Sequence, residues 1–396
     1  MVNVILKKGE EDRLLAGQLW VYDNEIDYAD DEFVPGEIVE VLSSKGRFLG
    51  RGYINPFSKI SVRLLTRRRE EIDRDFYRRR LQEAWAYRQR LGYGDSPDNN
   101  CCRVVFGEAD FLPALIVDKF GDYLCVQTLA LGVDIHKEMI ADLLEEMFHP
   151  KGIFERNDVP VREKEGLPQQ KGFLRGQFDT TVEVVENGVR MYVDLENGQK
   201  TGYFLDQKEN RAALRPYIAG KRVLDTFSHT GGFALHAAKY GAASVEAVDI
   251  SAHATEFIAR NARLNGFDNL TTTTDNVFDL LNRYVEEGRT YDVVILDPPA
   301  FCKTRASQKN AYRGYKEINL RAMKLLVDGG TLMTCSCSHY MYQDLFLKML
   351  KEAAADAHKD IRVMENRMQS RDHPVGLNAD ESFYLKCVIV EVMDRK

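Results

Sequence analysis

No run of apolar residues in this chain approaches the length of a membrane span, and the opening MVNVILKKGEEDR has none of the apolar stretch that marks a secretory leader. The expectation is a cytoplasmic protein with no membrane partner. A spaced cysteine framework is also missing. There are seven cysteines, with Cys101 beside Cys102 and Cys335 one residue from Cys337, and an odd count so distributed argues for free thiols in a reducing compartment. No second cysteine or histidine pair stands at zinc-ligand spacing, so no metal is expected. Net positive charge is lacking as well. The balance is −7, which excludes a chain that is a basic nucleic-acid binder throughout.

The charge is unevenly placed. Residues 1–40 carry Lys7, Lys8 and Arg13 against eleven acidic side chains, whereas Val41 to Arg69 holds eight basic residues and no acid, ending in Arg67-Arg68-Arg69. A local basic surface can bind phosphate under a negative total. A solvated strand edge protected by Lys and Arg would read the same way.

A length of 396 residues, 44% of them hydrophobic, fills at least two packed cores. Val39–Leu42, Arg47–Ile54 and Ile60–Leu65 read as short strands broken by turns, so residues 36–68 suggest a small β-barrel or half-barrel. Apolar residues at helical spacing between Asp73 and Leu91 predict a linking helix. Leu112–Asp118 and Tyr123–Gln127 flank a Phe-Gly-Asp turn and predict a hairpin. A helix over 134–148 and strands at 152–156 and 181–185 follow. Beyond about residue 186 strands are expected at 222–225, 244–249, 270–274, 292–296, 330–335 and 384–391, mostly separated by helices. That alternation predicts an open, mostly parallel α/β sheet, with Phe383–Val392 as a candidate antiparallel edge strand.

The strongest cluster is Arg222-Val223-Leu224-Asp225-Thr226-Phe227-Ser228-His229-Thr230-Gly231-Gly232-Phe233. A short apolar strand ends in an acid, then a turn with paired glycines, then a helix. The glycines do not have the Gly-x-Gly-x-x-Gly register of a pyrophosphate cradle, which makes a dehydrogenase a poor reading. An acid at this point suits a ligand bearing an ammonium group. Asp249 ends the second strand, where a carboxylate can accept from ribose hydroxyls. Asp275 and Asn276 follow the third strand, where a side chain can take an adenine amino group with Val277 or Phe278 against the ring. Singly, such acids are ordinary turn or N-cap residues. In this order they describe a pocket for an adenosine nucleoside with an amino-acid tail.

The fourth strand delivers Asp297-Pro298-Pro299-Ala300-Phe301, a rigid acid and an aromatic suited to the edge and face of a flat heterocycle. The fifth ends in Thr334-Cys335-Ser336-Cys337-Ser338-His339, which brings a cysteine to the same sheet edge. Period 2 would point Cys335 and Cys337 the same way, so alternation alone does not choose between them. Ser336 and Ser338 suit a turn where alternation lapses.

With these motifs in view, residues 186–396 resemble class I S-adenosylmethionine-dependent methyltransferases. Nearly the whole chain resembles the bacterial 23S rRNA cytosine-5 methyltransferase family with an N-terminal PUA domain, the RlmI-like family. The resemblance runs through KKGEEDRLLAGQLWVYDNEI, FERNDVPVREKEGLPQQKG, GQKTGYFLDQKENR, LDTFSHTGGFALHAAKYGA, ILDPPAFCKTRAS, YRGYKEIN, TCSCS, and DHPV followed by ESFYLK. It implies a PUA-like β-barrel that binds RNA over 1–73, a small central α+β domain over 74–184, and a Rossmann-like methyltransferase domain over 185–396. It further implies S-adenosylmethionine as cofactor, 23S ribosomal RNA as partner and a homodimer. The cofactor contacts it implies are Phe204, Gln207, Asp225, Phe227, Gly231, Asp249, Asp275, Asn276 and Asp297, with Asn276 standing where the family often has an acid. Pro298, Pro299 and Phe301 would frame the base, Arg67 and Arg68 would hold RNA, and Asp297 and Cys337 would act in catalysis, Cys337 rather than Cys335 aligning with the family nucleophile. Two other readings stay open on the residues themselves. One is a guanine-N7 or other nitrogen-directed RNA methyltransferase, which needs no cysteine. The other is a non-catalytic RNA-binding protein.

Overall fold

β-branched and apolar residues at alternate positions make six short strands at the start of the chain: β1 (Asn3–Leu6), β2 (Trp20–Tyr22), β3 (Ile26–Ala29), β4 (Ile38–Leu42), β5 (Phe48–Ile54) and β6 (Ile60–Thr66), with helix α1 (Glu11–Leu15) between the first two. The computed structural model describes every residue except Lys303 and Asn378; Lys303 falls within the ILDPPAFCKTRAS run. The strands join in the order β2-β6-β5-β4-β1-β3 around Val4, Leu6, Val39, Val41, Val62 and Leu64. β5 and β6 approach so closely that a Cβ on Gly52 would lie 2.0 Å from the Arg63 carbonyl oxygen.

Asp73 then starts helix α2 (Arg74–Arg90), its carboxylate accepting from the Phe76 backbone N–H at 2.9 Å. Tyr77, Leu81, Ala84 and Arg88 recur at helical spacing and form the buried face. A second sheet follows, β7 (Cys101–Phe106), β8 (Leu115–Phe120), β9 (Tyr123–Thr128), β10 (Gly152–Asn157) and β11 (Gln170–Arg175), in the order β11-β10-β9-β8-β7. The expected hairpin is β8–β9, with Phe120 opposite Tyr123. The helix expected from residue 134 comes as two pieces, α3 (Leu131–Asp134) and α4 (Lys137–Phe148). They carry the chain over to β10, which runs parallel to β9.

These elements belong to one compact unit, Met1–Val185, together with Val193–Asp206 and Arg371–Ser382. The last segment is held by buried polar bonds. Asp372 accepts from the Arg103 backbone N–H at 2.9 Å, and its carbonyl accepts from Arg88 Nη2 at 2.6 Å. Segments 193–206 and 371–382 thus pack with residues far before them in the chain, which hydrophobic periodicity gives no means of detecting.

Part of the basic stretch is also used inside this unit. Arg63 Nη2 donates to the buried Glu165 carboxylate at 2.9 Å, which also accepts from Ser58 Oγ at 2.6 Å and Asn55 Nδ2 at 2.9 Å. Arg51 pairs with Glu40 at 2.7 Å. Within the basic stretch 41–69, Arg51 and Arg63 are therefore committed to Glu40 and Glu165, which folding brings to them.

The second unit comprises Glu186–Tyr192, Gln207–Ser370 and Phe383–Lys396. A two-stranded ribbon, β12 (Thr181–Glu186) and β13 (Val189–Asp194), includes residues of both units. After α5 (Lys208–Ala213) and α6 (Arg215–Ile218) comes regular alternation: β14 (Arg222–Thr226), α7 (Gly232–Lys239), β15 (Ser244–Asp249), α8 (Ala252–Asn265), β16 (Leu270–Thr274), α9 (Val277–Glu286), β17 (Tyr291–Leu296), α10 (Gln308–Leu325), β18 (Leu326–Ser336), α11 (Gln343–Asp356), β19 (Lys359–Arg367) and β20 (Lys386–Asp394). The sheet order is β16-β15-β14-β17-β18-β20-β19, with β16 to β18 mutually parallel and β20 antiparallel to both neighbours. Strand residues alternate between two cores. Leu224, Leu296, Leu332 and Val388 face one, and Val223, Ile295, Met333, Cys335 and Ile389 the other.

The candidate edge strand is antiparallel, but it lies inside the sheet. The edge is β19, whose Lys-Asp-Ile-Arg-Val-Met-Glu-Asn-Arg sequence lacks the apolar alternation that identifies strands, and charged side chains suit an exposed edge.

Glu165 makes a prediction for the first unit. Glu165→Ala leaves the Arg63 guanidinium buried without its carboxylate, so it should cost about 3–5 kcal/mol of stability, read as a lowered urea midpoint. A midpoint within error of wild type contradicts this account of how the unit is fastened.

Candidate functional site

The chain's order of strands reverses at β14, where β15 and β16 lie on one side and β17 and β18 on the other. In open α/β sheets the crevice at the carboxyl ends of such strands is where ligands bind. Asp225 stands there, fully buried. Its Oδ2 accepts from the Ala234 backbone N–H at 3.0 Å, whereas its Oδ1 has no hydrogen-bond partner among the described residues. Burial, more than the nearby Asp297 and Asp249 charges, pushes its carboxyl up to about 7, against the pull of Ser228 and the Ala234 N–H. A dry, orphaned carboxyl oxygen fits an incoming ammonium.

The following turn is wound left-handed at three of five residues, Phe227 (φ 56°), His229 (φ 51°) and Gly231 (φ 88°). A Cβ on Gly231 would come 3.1 Å from the Ile258 side chain, so both the left-handed backbone and the close neighbour favour glycine there. The turn is anchored by Asp249, whose Oδ2 accepts from the His229 N–H and whose Oδ1 accepts from the Ser251 N–H, each at 2.9 Å. Two backbone donors hold this carboxylate and leave it further lone pairs for a ligand hydroxyl.

Asp275 and Asn276 lie at the end of β16. Asp275 is paired with Arg283 at 2.8 Å, which holds its carboxyl below the usual range. Asn276 is the N-cap of α9, its Oδ1 accepting from the Phe278 N–H at 2.9 Å. Phe278 belongs to an aromatic group with Phe227 and Phe301, ring centroids 5.8–6.5 Å apart. Phe301 in turn packs 4.7 Å from Tyr315.

Asp297 ends β17. Its Oδ1 accepts from Gln207 Nε2 at 3.0 Å, and Gln207 is itself fixed by Asn210 at 2.7 Å. Pro298 is buried and Pro299 exposed. β18 stops at Ser336, so strand alternation ends before Cys337. Cys335 is fully buried in the sheet opposite Cys387, and burial with that neighbouring thiol pushes its own thiol well above the ordinary value. Cys337 is half-buried, its Sγ 4.0 Å from the Pro298 carbonyl oxygen. Ser338 ties the two loops together. Its Oγ accepts from the Cys302 N–H at 3.0 Å and bonds the Tyr315 hydroxyl at 2.9 Å.

The second unit thus brings Gln207, Asp225, Phe227, Gly231, Asp249, Asp297, Phe301 and Cys337 to one sheet edge. Phe204 belongs to the first unit, where the Lys200 ammonium lies 4.6 Å from its ring. Arg67 and Arg68 are also in the first unit. Arg67 donates to the carbonyls of Leu14 and Gln18, and exposed Arg68 lines a surface pocket of about 230 Å³ with Arg79, Arg80 and Phe111. Sequence reasoning missed Ser338 and Tyr315, whose residue types give no signal apart from the contacts they make.

Comparison with known proteins bears on this geometry. Residues 167–380 match the S-adenosylmethionine-dependent methyltransferase family and residues 4–67 a PUA-like domain. The chain is 41% identical over 402 residues to ribosomal RNA large subunit methyltransferase I of Shewanella amazonensis, covering 99% of both sequences. It is 38% identical over 395 residues to the protein of that name from Klebsiella pneumoniae, covering 99% of this chain and 98% of the other. A crystal structure of a methyltransferase complexed with SAH is similar in fold, with TM-score 0.83 and 21% identity over 99% of this chain and all of the other.

Proposed function

The chain belongs to the S-adenosylmethionine-dependent methyltransferases, in the group formed with ribosomal RNA large subunit methyltransferase I, and from that membership we propose that it methylates carbon 5 of a cytosine in 23S ribosomal RNA through a covalent bond from Cys337 to C6. The observation that carries the cytosine reading is the half-buried Cys337 thiol against the Pro298 carbonyl, at the sheet edge that also holds Asp225. Nitrogen acceptors are nucleophilic already and need no thiol there.

S-adenosylmethionine supplies an electrophilic methyl group. Asp225 Oδ1 would receive the ammonium of its methionine end, beside Phe227, Gly231 and Gln207. Asp249 would accept from the ribose hydroxyls. Asn276, with Asp275 beside it, lies toward adenine; its oxygen already caps α9, and a second lone pair is left for the amino group. Pro298, Pro299 and Phe301 frame the cytosine.

Carbon 5 of cytosine is a poor nucleophile. The Cys337 thiolate adds to C6, and the displaced electron pair moves into the ring toward N3, where Asp297 bonds N3 and the exocyclic amine and favours the protonated form. Gln207 keeps the Asp297 carboxylate aimed. Carbon 5 then takes the methyl group, a base removes the C5 proton, and that electron pair expels the thiolate and restores the ring.

In support of a division at about 73, Val4, Val21, Val41 and Val62 of the N-terminal sheet share a core of their own, while Tyr53 and Leu65 pack with the central sheet; the division at about 184 is supported by the unit boundary after Val185. No helix among the described residues is long and apolar enough to cross a membrane. Seven free thiols fit a cytoplasmic location, and the family resemblance adds a homodimer to the reading.

Three outcomes test this. Cys337→Ala should abolish methyl transfer to cytosine and keep cofactor binding, while Cys335→Ala keeps activity and loses about 1 kcal/mol to a small cavity. RNA containing 5-fluorocytosine should trap an adduct that peptide mapping assigns to Cys337, because fluorine does not leave as a proton does. An adduct on Cys335 reverses the assignment, and full transfer by Cys337→Ala ends the cytosine-5 reading in favour of a nitrogen acceptor.

The raised Asp225 pKa gives a linkage. An acid whose folded-state pKa is raised to about 7 contributes stability below its unfolded value of about 3.8 and loses it as pH rises through 7. A bound ammonium pulls that pKa back down, so S-adenosylmethionine binding at pH 7 should release roughly half a proton, falling to none by about pH 9. Calorimetry in buffers of different ionisation enthalpy measures this. No release at pH 7 removes Asp225 from the cofactor site.

Arg68 is exposed, whereas Arg67 is occupied by carbonyls, so Arg68→Glu is the cleaner test of RNA binding by the first unit. Affinity should fall across RNA sequences and the salt slope by about one. An unchanged slope in a folded variant rules out a phosphate contact there.

A further inference from the structure

Lys386 opens β20 and is almost completely buried, 2% exposed. Its position follows from register. β20 runs antiparallel to β18 with Lys386 opposite Ser336, so its side chain lies where β18 gives way to Cys337 and Ser338. Nζ donates to the carbonyl of Ser338, the residue after Cys337, at 2.7 Å, and to the Tyr384 carbonyl at 2.8 Å. An ammonium has three donors, so one remains.

A buried ammonium is costly unless a negative charge meets it. Among the described residues no carboxylate pairs with Lys386. The acidic groups that act on it are two thiols, Cys337 and Cys302. Cys302 is buried, and its Sγ lies 3.3 Å from the Thr304 carbonyl and 3.7 Å from Ser307 Oγ, whereas Cys337 is half-buried and open to a reactant.

We propose that Lys386 is a positioning residue for Cys337: its ammonium, seated on the Ser338 carbonyl, holds the neighbouring thiol in the thiolate form that attacks C6. The inference rests on the reading of Cys337 as nucleophile. The thiol proton passes to water and Lys386 stays an ammonium, so no further reactant is needed. Burial draws the Lys386 pKa down to about 8, against the upward pull of Cys337 and Cys302. Among the described residues, further titratable groups near this corner are Tyr315 from α10, raised to about 12 chiefly by burial and so neutral near pH 7, and Asp297, which bears on Cys335 and Asp225.

The test is iodoacetamide alkylation of the full-length protein across pH, with Cys337 followed by peptide mass mapping. In wild type the midpoint should fall at least about one pH unit below the ordinary thiol value of about 8.5. Lys386→Gln, which keeps a donor for the Ser338 carbonyl, should raise it by about one unit or more and slow alkylation at pH 7 about tenfold. Lys386→Arg should restore most of the shift, and the acid limb of methyl transfer should move with the midpoint. A wild-type midpoint at or above about 8.5 overturns the proposal without needing any variant. An unchanged midpoint in Lys386→Gln that still binds S-adenosylmethionine also overturns it. Alkylation needs neither RNA nor methyl transfer, so retained transfer by Cys337→Ala would defeat the cytosine-5 reading separately.

Discussion

The second unit is organised around a carboxylate kept from water. Asp225 sits where strand order reverses, with one oxygen bonded and the other orphaned. A buried polar atom left without a partner costs about 1–3 kcal/mol. That cost is borne by the hydrophobic layers on both faces of the sheet, and the two left-handed non-glycine residues after β14, Phe227 and His229, add their own strain. A ligand that supplies the missing donor recovers the deficit on binding.

A second constraint joins the two loops that would meet the base. Ser338 receives the Cys302 N–H and bonds Tyr315, while its carbonyl receives Lys386. The Asp-Pro-Pro loop, α10, β20 and the end of β18 therefore converge on one residue. Reacting groups held this way need little reorganisation when the base arrives.

Much of the second unit was legible because parallel strands buried on both faces are short apolar runs, and their carboxyl ends carry Asp225, Asp249 and Asp297 in order. What escaped was structure made by charged or distant residues. β19 is an edge strand with charges where apolar residues would signal a strand. Arg51 and Arg63 looked like free cations until folding paired them with Glu40 and Glu165. Asp372, within the Asp-His-Pro-Val run, packs with the first unit through Arg88 and Arg103. Cys335 and Cys337 could not be separated by alternation, since the answer depends on the strand ending at Ser336.

The interior position of β20 has a consequence for assembly. β19 is made first, yet β20 is its sole neighbour in the sheet and stands between it and β18. β19 therefore depends on β20 for its ladder, and β20 meets β18 through residues far apart in sequence, Ser336 with Lys386, a non-local pairing of the kind that forms slowly. The docking of β20 on β18 is also what brings Lys386 to the Ser338 carbonyl, so a chain in which β20 is undocked lacks that contact.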